Sequence, residues 1–242
     1  MNHTVSVIRL AEGLRPEYSH SFNLSADYYR NFGRLQANIL LEGFYTSLDD
    51  VFTLEKIGTN DDGIIINERR NAAGATIGGF TIETKLGIPS LFDVQLGYTY
   101  QQSRYEEPEQ WSESVTPQRE MFRSPDHYGY LSSNFYITKQ LGASLFGTFT
   151  GPMLVQHSAY TTIDGIEMPD SESVTPSFWD FGFKVSYTFH LTNVINLEVN
   201  AGVKNIFDAY QTDFDWGAGR DSTYIYGPSM PRTYFIGIKL SL

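Results

Sequence analysis

The stretch Pro231–Leu242 alternates with a period of two. Tyr234, Ile236, Ile238, Leu240 and Leu242 are apolar, Thr233, Gly237, Lys239 and Ser241 are small or polar, and Phe235 is the one exception. This pattern specifies a β-strand with one apolar face. A soluble domain seldom leaves a long, flat, apolar strand at its end, because bare edges invite aggregation. A transmembrane β-barrel does so naturally, since its closing strand pairs back to the first and its outer face meets lipid.

The same code recurs upstream. Trp179, Phe181, Phe183, Val185, Tyr187 and Phe189 alternate with Asp180, Gly182, Lys184, Ser186, Thr188 and His190. Ile195–Lys204 and Phe92–Gln101 follow the same rule, with charges, amides and glycine on the polar parity. A soluble sandwich also alternates, but its strands are usually shorter and its polar face is rich in Lys and Glu. Trp179 to Phe189 spans roughly 33 Å at about 3.3 Å per residue. Tilted by about 40°, that length covers roughly 25 Å, the height of a barrel's apolar band.

Composition narrows the class. Seventeen Lys and Arg against 28 Asp and Glu give a net charge of −11, the opposite of a nucleic-acid footprint. No run of about eighteen apolar residues offers a membrane helix. A mean hydropathy of −0.28 is compatible with a barrel, because alternation and polar loops average the signal away. Aromatic residues at 15% supply the girdles a barrel needs. With no cysteine, disulfides, thiolate nucleophiles and cysteine metal sites are excluded.

Periodicity and turn residues lay out the chain. Residues 1–17 read as a loop, and strands are predicted at Ser19–Tyr29, Leu35–Leu54, Ile64–Leu86, Leu91–Tyr105 and Asp126–Thr138. Further strands follow at Leu141–Gln156, Ser177–His190, Val194–Phe207 and Arg232–Leu242, about nine in all. Asn31–Gly33, Gly87–Ser90, Lys139-Gln140 and Leu191–Asn193 are short turns, and Gly58–Gly63 reads as a hairpin tip. Residues 106–125, 157–175 and 208–230 are long loops. Barrels of this kind put short turns in the periplasm and long loops outside. An odd strand number cannot close as an antiparallel barrel, so an open sheet is expected, with Ser19–Tyr29 and Arg232–Leu242 as free edges. The fold class is all-β: an antiparallel transmembrane β-barrel, present as a partial, open barrel. The sequence from Met1 has neither a basic n-region nor an apolar h-region. An exported protein needs a leader, so the chain reads as a piece of a longer precursor.

Four segments resemble those of TonB-dependent outer-membrane receptors. Leu14-Arg-Pro-Glu-Tyr-Ser-His-Ser resembles an L-K-P-E-x-S-x-S strand start, and Arg123-Ser-Pro-Asp-His resembles R-x-P-x-H. Gly202-Val-Lys-Asn-Ile-Phe-Asp-Ala-Tyr-Gln resembles G-x-x-N-L-F-D-x-x-Y, and Gly227–Leu242 resembles the closing motif of these receptors. Leu242 stands where the family usually has Phe. The resemblance covers nearly the whole chain and implies the C-terminal part of a barrel of about 22 strands. Residues 1–17 would be an extracellular loop segment and 18–242 the barrel part, with the plug domain and the earlier strands missing. The implied activity is uptake of a scarce nutrient such as an iron chelate, cobalamin or a glycan. The implied partners are outer-membrane lipid, the missing plug and strands, and an inner-membrane energy-coupling complex reached through the absent N-terminal segment. The alternatives are a passive porin-like or structural barrel piece, and a soluble β-sandwich that binds carbohydrate.

No catalytic, metal or cofactor residue is assigned. The five histidines His3, His20, His127, His157 and His190 form no metal or catalytic spacing, and His157-Ser158 lacks a nucleophile elbow. Glu106, Glu107, Glu109, Glu113 and Glu120 crowd one loop without a calcium-loop pattern, and Asp213, Asp215 and Asp221 do the same in another. Arg69-Arg70 reads as a rim charge. Trp111, Trp216, Tyr224 and Tyr226 fall in outward loops and are the candidates for stacking on a ligand, with loop packing or interfacial anchoring as the competing roles.

Overall fold

The computed structural model describes residues 6–60 and 64–241. Part of the expected hairpin tip, the sequence before Ser6 and Leu242 lie outside the described residues. One large antiparallel sheet dominates. Its nine-strand path is Tyr18–Phe32, Leu35–Asp49, Ala75–Ile88, Phe92–Glu109, His127–Tyr136, Leu141–Thr150, Phe178–His190, Asn196–Lys204 and Thr233–Ser241. Each strand pairs with the next in sequence, and short Gln118–Glu120 lies beside Phe92–Glu109. Tyr18–Phe32 and Thr233–Ser241 are the two edges and do not pair with each other, so the sheet is open.

The side chains are arranged inside-out relative to a soluble protein. Along Phe92–Glu109, Leu96 is 52% exposed, whereas Thr99 and Ser103 are 6% and 2% exposed. Trp179, Phe183, Val185, Tyr187 and Phe189 are all exposed on one parity of their strand. Register carries that parity across the sheet. Phe183 pairs with Leu145 and Val203, and Lys184 pairs with Ser144 and Gly202. No second sheet covers the apolar face among the described residues, so the sandwich alternative fails.

The polar face is tied by its own ladder. Ser21 bonds Thr46 at 2.9 Å, Thr81 bonds Thr99 at 2.9 Å, and Ser144 donates to Asn134 at 2.8 Å. Asn134 in turn donates to Asp93 at 3.0 Å. Large aromatics on this face lie over a glycine of the neighbouring strand. A Cβ on Gly97 would sit 2.2 Å from the Tyr130 ring, one on Gly182 2.5 Å from Phe146, and one on Gly202 2.6 Å from Phe235. Phe235 breaks the alternation of its strand because it fills the space above Gly202.

Two long predicted strands are interrupted. The chain leaves the large sheet at Asp49 and returns at Ala75, instead of running through Leu35–Leu54 and Ile64–Leu86. Asp50 takes a positive φ of 58° there, and Asn71 Nδ2 donates to the carbonyls of Asp50 and Arg15. Between them, Phe52–Thr59 and Ile65–Asn71 form a small sheet. Ser6–Leu10 adds to it in parallel, so the segment read as loop contributes a strand. Leu141–Gln156 stops at Thr150 because Gly151-Pro152 follows, and proline cannot donate to a ladder.

Short connections at residues 33–34, 89–91, 137–140 and 191–195 share one end of the sheet, and the long ones share the other. Val185 lies mid-strand on the apolar face. V185R is expected to destabilise the membrane-inserted protein by about 2–4 kcal/mol, and S186R on the polar face by much less, measured as urea unfolding in lipid vesicles. The 242 residues expressed alone should aggregate, because bare edges and an apolar face are unsatisfied in water and lipid alike. A soluble, cooperatively melting monomer would contradict this reading.

Candidate functional site

The loops at the long-connection end pack into an ordered cluster around a small core. Val155, Phe178, Tyr224 and Tyr226 are buried there, with Met153 and Ala209 against them. Leu154–His157 pairs with Ser171–Val174, which holds the 151–177 loop as a hairpin. His157, the last residue of the first strand of that hairpin, is sandwiched between rings. Its imidazole lies 3.7 Å from the Tyr224 ring and 4.4 Å from Tyr160, both nearly parallel to it. Its Nε2 meets Asp215 Oδ2 at 2.8 Å. This pair is well buried, which raises its electrostatic weight.

The last loop, residues 205–232, is braced by hydrogen bonds within itself and by bonds from Ser158 and Arg123. Asp213 accepts from the hydroxyls of Tyr226 at 2.6 Å and Tyr224 at 3.0 Å. Gln211, 1% exposed, accepts from the Tyr226 N–H and donates to the Tyr224 carbonyl. Asp221 accepts from the Ser158 N–H at 2.9 Å and from Thr223. Arg123 donates to the carbonyls of Ile225 and Thr223 at 2.8 and 2.7 Å. The hydrogen-bonding oxygens of Asp213, Asp215 and Asp221 are therefore engaged by protein donors, and among the described residues no three His, Asp or Glu converge as a metal set.

The environment tunes these groups. Partial desolvation pushes the Asp213 carboxyl up, but the hydrogen bonds from Tyr226, Tyr224 and Gln211 outweigh it and leave it below its ordinary value. Asp221 is likewise lowered, desolvation being outweighed by Thr223, the Ser158 N–H and nearby His157. Desolvation and the bond to Asp213 push the Tyr226 phenol far up, and Tyr224 is raised as well, by desolvation first.

The sequence matches the family model described as TonB dependent receptor-like, beta-barrel, over residues 4–206. The chain belongs to that family. No curated protein matches it. Among solved structures, it resembles the ferric-catecholate import receptor Fiu of E. coli K12, with 20% identity and a TM-score of 0.60 over 94% of this chain and 28% of that one. It also resembles the ferripyoverdine receptor of Pseudomonas aeruginosa, with 16% identity and a TM-score of 0.61 over 94% of this chain and 27% of that one. The siderophore receptor PirA of Acinetobacter baumannii aligns at 18% identity and a TM-score of 0.57, over 94% of this chain and 32% of that one. The chain thus spans less than a third of the length of these receptors, with which it shares a fold. It is a segment of a receptor β-barrel of this outer-membrane family.

The receptor motifs acquire physical roles. Asn205, at φ 49°, donates from Nδ2 to the carbonyls of Ala209 and Met230 and accepts the Ala209 N–H. Asp208 accepts the Arg232 N–H, and Arg232 Nε donates to the Ile206 carbonyl. The N-I-F-D segment therefore joins the end of one strand to the start of the last. Arg123, first residue of the R-x-P-x-H match, is the clamp on the last loop.

The four aromatic candidates do not form one surface. Tyr224 and Tyr226 meet edge-to-face at 5.4 Å and are buried, at 4% and 8%. Trp111 is elsewhere, donating Nε1 to Glu172 at 2.9 Å and packing edge-on against Phe122. Trp216 is 71% exposed, next to the anchored Asp215. Sequence reasoning set His157 aside because no catalytic spacing surrounded it. Its partners Tyr160, Asp215 and Tyr224 are distant in sequence, so only the fold reveals it.

D213N is expected to remove the charge that two phenols bind, at a cost on the order of 1 kcal/mol for so accessible a carboxylate. Faster amide exchange over 211–226 with the sheet unchanged is the readout. Because the carboxyls of Asp213 and Asp221 are lowered, their stabilisation is present above the ordinary value of 3.8 and is lost as pH falls through the lowered one. The loop should therefore open below about pH 4, and the D213N loop should open less steeply.

Proposed function

We propose that the chain forms part of the wall and the outer face of a receptor that takes up a scarce nutrient, and that the nutrient is a ferric chelate. The observation that carries the reading is the inverted sheet with an ordered loop cluster at one end only. An exposed apolar face suits lipid, and a braced loop cluster suits capture of a ligand from outside. The family supports active uptake, since TonB-dependent receptors generally use an N-terminal plug and an inner-membrane energy-coupling complex. Residues 1–17 would be an extracellular segment and residues 18–242 barrel wall with its loops. The ligands of the similar receptors, named for ferric-catecholate, ferripyoverdine and siderophore, support a ferric chelate over cobalamin or a glycan.

Within the loop cluster, Trp216 is the candidate for direct stacking, because its ring is open while its neighbour Asp215 is fixed by His157. Tyr224 and Tyr226 serve by holding that loop in place, and Trp111 braces the 106–125 loop through Glu172. A passive porin-like barrel is the second reading, supported by the same polar face.

The test is growth of a strain lacking the gene for this protein, complemented with wild type or W216A, under limitation for iron, cobalamin or glycan. Ferric chelates should rescue growth only with the gene present. W216A should need about tenfold more chelate, the scale of one lost aromatic stack. Rescue by cobalamin or glycan alone would overturn the cargo. Uptake that persists when the inner membrane is de-energised would select the passive barrel.

A further inference from the structure

The apolar face carries a cation near its short-turn end. Arg30 lies on the lipid-facing parity of Tyr18–Phe32, with Leu24, Ala26, Tyr28 and Phe32. Its register partners across the sheet, Ala37, Leu86 and Val94, are all apolar. Among the described residues it makes no ion pair. Its guanidinium is held instead by the Tyr28 hydroxyl at 3.3 Å and stands 5.3 Å over the Phe32 ring. Gly33-Arg34, the adjoining turn, is one of the short ones, which places Arg30 at the periplasmic interface.

A second, independent feature lies deeper on the same face. Leu24, Ala26, Leu41, Gly43, Phe80 and Ile82 line a shallow groove that is almost wholly apolar. Gly43 pairs with Leu24 and Phe80, and Ala26 pairs with Leu41, which pairs with Ile82. The small residues form its floor, and a Cβ at Gly43 would meet nothing within 4 Å. Four to six residues separate Arg30 from Ala26 and Leu24, roughly 13–20 Å along the strand and about 10–15 Å of depth at a tilt of about 40°. One leaflet of a hydrocarbon core about 30 Å thick is about 15 Å deep. The groove therefore lies at the depth reached by an acyl chain whose head group sits at Arg30.

We propose that Arg30, flanked by Tyr28 and Phe32, and the groove over Ala26 and Gly43 form a binding site for one glycerophospholipid of the periplasmic leaflet. The guanidinium takes the phosphate, for which its fork of donors is suited. The aromatic pair holds that fork at the interface, and one acyl chain lies along the groove. The site concerns the protein's lipid contacts and stands whether or not the transported nutrient is a chelate.

The experiment uses the protein assembled in its own outer membrane and extracted in mild detergent. Native mass spectrometry reads the phospholipid that survives detergent exchange, and heat-modifiability on gels confirms the fold of each variant. Wild type should retain a phospholipid. R30Q should lower retention about tenfold, the scale of one charge-assisted contact, and R30K should restore much of it. G43L, which has open space above it, should also lower retention by filling the groove. Equal retention in wild type, R30Q and G43L would overturn the site, as would lipid A or a second copy of the chain in place of phospholipid. A measurement on unaltered protein guards against variants that fail to assemble. A phospholipid with a photoactivatable acyl chain should label the peptides containing Leu24, Leu41 or Phe80, and labelling only elsewhere would overturn the site.

Discussion

Within hydrocarbon, a backbone N–H or C=O has no water to bond, so it must find a partner on a neighbouring strand. Everything in the large sheet answers to that condition. The nine strands are neighbours in sequence as well as in space, which keeps each pairing local and each turn at the near end short. The register then forces one residue in two outward, and that face is predominantly apolar. The inversion of exposed Leu96 and buried Ser103 on one strand follows directly. It also explains why the open edges matter: Tyr18–Phe32 and Thr233–Ser241 each leave a row of backbone groups that the remaining wall of such a receptor would satisfy.

Close strand packing on the polar face imposes a second condition. That face needs bulk in places, and a bulky ring beside another side chain would push the strands apart. The sheet resolves this by setting Tyr130, Phe146 and Phe235 against Gly97, Gly182 and Gly202. Each ring then covers backbone that glycine would otherwise leave open. Glycine on the polar parity is thus part of the packing.

The sheet was legible in the sequence because its information is local. Period-two alternation from Trp179 to His190 survives any tertiary arrangement, and so do the turns that bound it. What was not legible depends on pairings distant along the chain. The departure at Asp50 and the return at Ala75 are set by Asn71 reaching Arg15 and Asp50, two contacts that alternation does not encode. The same holds for the loops. Tyr224 and Tyr226 read as exposed rings because a loop position and an aromatic side chain suggest a ligand, yet His157 and Asp213 draw them inward. Among the described residues Trp216 has no such partner, and it stays outside.

The loop cluster is held by buried polar groups because the fold leaves it little apolar surface to bury. In a soluble domain the apolar face of the sheet would form the core, but here that face is given to lipid. Among the described residues the cluster buries four apolar or aromatic side chains, with Met153 and Ala209 against them. Such a core cannot by itself fix a loop of more than twenty residues against the loss of chain entropy. The His157–Asp215 pair, the Gln211 amide and the Asn205 amide supply direction where hydrophobic contact supplies little, since each is satisfied in one arrangement only. A loop braced in this way presents the neighbours of its anchors in a fixed position. Trp216, adjacent to Asp215, is held by its backbone while its ring stays free. That combination is the one the proposed ligand contact at Trp216 requires.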